Sequence, residues 1–189
     1  LLPLQYIHVP EFAAVIFRRT YPEIMNPGGL WDDAANLYAQ DAESKLTTLE
    51  WQFRSGARVK FAHMQYETDL FAWRGAQIPM LGFDQLENFS ETTFWEMFHP
   101  NRDPSGKVRP FIRGTCNPVP ADDLVGGWLH RLITWWLDEE TGYARWDRSG
   151  IVRWFVRDGD ATVWGDTPDE LLARHPGLLP QSLTFIPGR

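Results

Sequence analysis

The stretch Ile78-Pro-Met-Leu-Gly-Phe-Asp-Gln-Leu-Glu-Asn-Phe89 decides the fold. Its first half is an apolar run without polar alternation, the pattern of a strand covered on both faces in the middle of a parallel sheet. Its second half delivers an acid, Asp84, at the tip of that strand and follows it with the uncharged Gln85. Open α/β sheets hold ligands in the crevice beyond the carboxyl ends of their strands, so an acid at that place is a candidate site residue. A local reading competes with it, because an Asp after a strand also caps the helical turn that follows.

Outward from this stretch, Glu11-Phe-Ala-Ala-Val-Ile-Phe17 is a second buried-strand pattern; it ends in Arg18-Arg19-Thr20, and Pro22 with Pro27-Gly28-Gly29 reads as a loop. Trp31, Ala34, Ala35, Tyr38 and Ala39 recur at helical spacing, with Asp32 and Asp33 in the first turn where the helix dipole favours acids. Residues 49–53 and 57–61 alternate apolar with polar around Arg54-Ser-Gly56, which predicts a hairpin with one wet face. Residues 68–72 form a helical turn broken by Arg74-Gly75, Ser90 caps a helix through Phe98, and residues 111–115 give a further strand ending at Cys116-Asn117-Pro118. An amphipathic helix is expected over 128–137.

Asp138-Glu-Glu-Thr-Gly142 marks a boundary and divides the chain into a core, 1–137, and an appendage, 138–189. In the appendage, residues 151–156 and 161–164 flank Arg157-Asp-Gly-Asp160 as a hairpin. Thr167-Pro168-Asp169-Glu170 then opens a short helix through Arg174, and residues 182–186 make a last strand. Strands alternating with helices predict an α/β fold: a mostly parallel central sheet flanked by helices, with a small C-terminal hairpin-and-helix appendage.

Composition narrows the function classes. The formal net charge of -7 argues against a protein that coats itself in nucleic acid, although Arg102, Lys107, Arg109 and Arg113 make a local basic stretch. Cys116 is the single cysteine, so no internal disulfide forms, and the five histidines lack the close spacing of a zinc-binding pair. Neither a membrane span nor a signal peptide is expected from the hydropathy pattern. Ten tryptophans are spread through every segment, which favours core packing over a stacking surface.

The order Arg74-Gly75 … Phe83-Asp84-Gln85-Leu86, then Thr115-Cys116-Asn117-Pro118 after the next strand, resembles the motor domain of the large terminase subunit of tailed phages. The likeness extends through Phe17-Arg18-Arg19-Thr20, the 51–61 ribbon with Ser55-Gly56-Ala57, and the pieces at 149–154 and 183–186, and so covers nearly the whole chain. The resemblance implies a P-loop ATPase core of the ASCE type that uses ATP and Mg2+ to pump double-stranded DNA. It further implies a homo-oligomeric ring, portal protein and small terminase subunit as partners, and the cytoplasm of a bacterial host as location. Asp84 then matches the Walker B acid that holds magnesium through water, and Gln85 stands at the place of the catalytic Glu. Thr115, Cys116 and Asn117 match the coupling segment. Arg74 matches a position from which some relatives offer an arginine finger, while Arg18, Arg19 and Thr20 are candidate nucleotide or DNA contacts.

The sequence departs from the family pattern twice. No G-x-x-x-x-G-K-[S/T] occurs in the 189 residues, so the amide cradle for the β- and γ-phosphates is missing from them and weak ATP binding by this chain alone is expected. Gln85 hydrogen-bonds water but takes up no proton. The chain therefore reads as a portion of the motor, or as a non-catalytic prophage remnant acting as an interaction domain. Local readings stand beside the site readings: Arg74 pairing with Glu67 or Asp69, Thr115 and Asn117 as turn residues before Pro118, Cys116 as a small buried side chain, and Arg18 and Arg19 as solvated charges.

Overall fold

The computed structural model describes residues 2–188. They divide into two compact units, with the division between His130 and Arg131. The first unit is built on a six-stranded mixed sheet, mostly parallel, with flanking helices. In chain order its elements are β1 (Ala13–Arg18), α1 (Tyr21–Met25), α2 (Leu30–Tyr38), β2 (Ala42–Lys45), β3 (Glu50–Phe53), β4 (Arg58–His63), β5 (Met80–Phe83), α3 (Glu91–Glu96) and β6 (Phe111–Gly114). The spatial order is β2-β3-β4-β1-β5-β6. β4, β1, β5 and β6 run parallel, whereas β2 and β3 add an antiparallel ribbon.

All four residues of β5 are buried, as their uniform apolar character predicts for a strand with a parallel neighbour on each side. Strand alternation sorts the side chains onto two faces. On one, Ala14 and Met80 join Ile24, Ala34, Tyr38, Trp51, Phe53, Val59 and Phe61 in a core covered by α1 and α2. On the other, Phe17 stacks on Phe83 with ring centroids 5.6 Å apart, and Phe83 meets Phe89 and Phe94. Trp128 closes this second cluster against Phe94 and donates its indole N–H to the Phe89 carbonyl at 2.9 Å. Nine of the ten tryptophans are buried or half-buried, and Trp146 is the exposed one.

Several boundaries differ from the sequence expectation. Where a loop is expected, residues 21–25 form α1, because Thr20 N–H donates to Glu23 Oε2 at 2.7 Å and Pro22 is preset for a first turn. β2 carries no apolar alternation and is mostly exposed, so only its pairing with β3 makes it a strand. Ser90 caps α3 as expected, accepting from Thr93 N–H, but the α-helix stops at Glu96. The helix expected over 128–137 is α4 (Gly127–Ile133), followed by a 3-10 turn, Thr134–Trp136.

The second unit holds an antiparallel sheet of β7 (Val152–Asp158), β8 (Ala161–Gly165) and β9 (Gln181–Thr184) in the order β8-β7-β9. The expected hairpin is β7-β8. α5 (Pro168–Arg174) is capped by Thr167, whose hydroxyl accepts from Glu170 N–H, with Pro168 in the first turn. Phe155, Val156, Leu171 and Trp136 are its buried centre. Arg148 lies over the Trp135 ring, and Arg153 lies between the Trp135 and Trp164 rings. Among the described residues, no helix is long and apolar enough to cross a membrane.

Candidate functional site

Three neighbouring parallel strands, β1, β5 and β6, end side by side, and the residues just past their ends are tied to one another. Asp84 N–H donates to the Phe17 carbonyl at 2.9 Å, Thr115 N–H to the Phe83 carbonyl at 2.9 Å, and Leu86 N–H to the Thr115 carbonyl at 2.7 Å. The ladder of the sheet thus continues for one more residue in each strand and fixes the turns that carry the polar side chains.

On that frame Thr115 bonds in two directions. Its hydroxyl donates to Asp84 Oδ1 at 2.5 Å and accepts from Gln85 N–H at 3.1 Å. Arg18, the last residue of β1, places Nη2 at 2.5 Å from Asp84 Oδ2 and Nη1 at 2.7 Å from Gln85 Oε1. Because a guanidinium only donates, this contact assigns the amide of Gln85: the oxygen faces Arg18 and the NH2 group remains to donate elsewhere. Asn88 Nδ2 also donates to that oxygen, at 3.3 Å. Gln85 adopts φ 60°, ψ 61°, a left-handed conformation that a side chain with a Cβ takes only when its surroundings hold it there.

The second half of the cluster is built around one buried carboxylate. Glu87 is buried, accepts from Asn117 Nδ2 at 2.8 Å through Oε1, and leaves Oε2 buried with no hydrogen-bond partner. Cys116 lies between Thr115 and Asn117 and is exposed, which corrects its reading as a small buried side chain. Desolvation around its sulfur, reinforced by the Glu87 carboxylate, pushes the thiol above its ordinary pKa, the opposite of what a nucleophilic cysteine needs.

The other candidates lie apart from this cluster. Arg74 stacks over the Phe71 ring with its guanidinium carbon 4.2 Å from the centroid, rather than pairing with Glu67 or Asp69. It lines a separate cleft of about 370 Å³ with Leu70, Trp73, Met97, His99 and Arg102. Glu67 accepts instead from Ser90, and Asp69 from the amides of Gln65 and Tyr66. Arg19 donates to the Met64 carbonyl at 3.3 Å, and Thr20 begins α1, so neither reaches the Asp84 group. The basic stretch is dispersed: Lys107 pairs with Glu11, and Arg113 lies over Phe111.

Sequence reading grouped Asp84 with Thr115 and Asn117, but missed the role of Arg18 toward Asp84 and Gln85 and passed over Glu87. Nothing in the sequence signals the first, since the partners are 67 residues apart. The second had a signal: a carboxylate two residues after Gln85, between the apolar Leu86 and Phe89.

Magnesium takes hard oxygen ligands and needs only one or two carboxylates when waters and substrate phosphates complete its shell. Asp84 and Thr115 supply oxygens of that kind, so the donor set fits in type. Among the described residues, no group of three or more His, Cys, Asp and Glu is gathered to hold a metal unaided. No protein-family model matches the chain, and no curated protein matches it either.

Proposed function

We propose that this chain is part of the motor core of a phage terminase large subunit, an ATP-driven DNA-packaging machine, and contributes the acid and coupling half of its nucleotide site. The observation that carries this reading is the convergence of Asp84, Gln85 and Thr115 at the carboxyl ends of adjoining parallel strands, the place where such sheets hold nucleotides. Asp84 is the residue that would hold magnesium, which supplies charge neutralisation at the terminal phosphates when bound. Thr115 fixes the orientation of the Asp84 carboxylate. The bond from Asn117 to Glu87 links the coupling segment to the turn after Gln85. Arg74 lies outside this cluster, stacked on Phe71, and would have to leave that ring to serve a neighbouring subunit in a ring-shaped assembly.

Phosphate release tests the reading in a longer polypeptide that joins these residues to a G-x-x-x-x-G-K-[S/T] segment. Asp84→Asn removes turnover, and Gln85→Glu raises it, by up to ~10²–10⁴-fold if proton uptake is what the site lacks. No phosphate release with Asp84 intact overturns the motor reading. A non-catalytic interaction domain is the second reading. It is favoured by the fact that Gln85 lacks a carboxylate and its one acceptor is engaged by Arg18 and Asn88.

A further inference from the structure

Arg18 is more than a neighbour of the crevice. Its fork grips the two residues on which the proposed chemistry turns, the Asp84 carboxylate through Nη2 and the Gln85 carbonyl through Nη1. A divalent cation at Asp84 and a guanidinium at Asp84 require the same negative charge, and two cations a few ångströms apart in a half-buried crevice repel each other. Both side chains of the pair are only 21% exposed, so water screens that competition incompletely. Arg18 is also the bond that turns the Gln85 oxygen inward, and its Nε is buried without a partner, which leaves the grip without a third anchor.

We propose that Arg18 is a positioning residue, a tethered cation that holds Asp84 and Gln85 in a resting arrangement and is displaced when a divalent cation occupies Asp84. Its departure leaves the Gln85 carbonyl with only the weaker bond from Asn88, so cation occupancy and Gln85 orientation change together. The proposal rests on the metal-holding role given to Asp84 above, and its test is separate from phosphate release.

The test uses Mn2+ with the 15N-labelled 189-residue chain, following paramagnetic broadening of the Asp84, Gln85 and Thr115 amides and the Mn2+ affinity from water-proton relaxation. Removing the charge in Arg18→Gln tightens Mn2+ binding at these amides by roughly three- to tenfold, the worth of a partly screened ion pair. Arg18→Lys, which keeps the charge, stays within about twofold of the wild type. Adding Asp84→Asn to Arg18→Gln abolishes the gain. Diamagnetic Mg2+ shifts the Gln85 side-chain NH2 resonances of the wild type in the direction that Arg18→Gln does. If broadening occurs at these amides with equal or weaker affinity in Arg18→Gln, the crevice takes a cation but Arg18 does not compete for it, and the proposal falls while the metal-holding role stands. If those amides do not broaden in either protein, both fall.

Discussion

Thr115 has a hydroxyl that serves two residues of the opposite turn at once, and this makes it the most economical place to disturb the crevice. Thr115→Val keeps the shape but strands Gln85 N–H and removes a donor from Asp84. The loss is about 1 kcal/mol, because net hydrogen-bond contributions cluster there and the half-exposed crevice lets water replace part of what is removed. Thr115→Ser retains both bonds, so urea unfolding should show a lowered midpoint for valine and little change for serine. Cys116 offers a pH readout beside it. Its raised pKa means that less thiolate is present at a given pH than in a free cysteine. Alkylation by iodoacetamide should therefore lag behind that of an unstructured cysteine peptide near pH 8, and its rate should still be climbing where the peptide's has levelled. A rate equal to or above that of the peptide would contradict the environment described here.

At the scale of elements, the ends of β5 and β6 are locked by close packing as well as by hydrogen bonds. A Cβ on Gly114, the last residue of β6, would stand 2.7 Å from Leu86 Cδ2, and Leu86 is buried immediately after Gln85. Gly114→Ala therefore forces Leu86 to shift and, with it, the turn whose amide bonds the Thr115 carbonyl. Overpacking of this kind costs typically ~1–3 kcal/mol. Thermal unfolding should report a loss in that range, and exchange of the Leu86 amide should quicken. Gly82 in mid-β5 is likewise close to its neighbour, with a Cβ placed 3.1 Å from Ile16 Cγ1, which explains a glycine inside a buried strand. The elements missed in sequence share a physical cause. α1 is too short to show a period and is set by its capping contacts, and β2 is an exposed edge strand whose existence depends on β3 rather than on its own pattern.

Over the whole molecule, the chain is two compact units, and the crevice belongs to the first. The excess of acid is compatible with the cluster at Asp84 because Arg18 neutralises the carboxylate locally, whatever the net charge of -7 does at long range. By itself the sequence determined the buried strand that ends at Phe83, the apolar run of β1, the β3-β4 and β7-β8 hairpins, and the presence of an acid and a threonine at strand ends. Each of these follows from short-range periodicity or from turn chemistry, which the order of residues carries directly. Only the tertiary structure decided that β1 lies between β4 and β5, so that the arginine ending one apolar run meets the acid ending another. It also set Arg74 in a different cleft from Asp84 and buried Glu87 against Asn117. The reason is that strand neighbours are selected by packing of both sheet faces over long sequence separations, and no local pattern specifies which polar ends will then be brought within bonding distance.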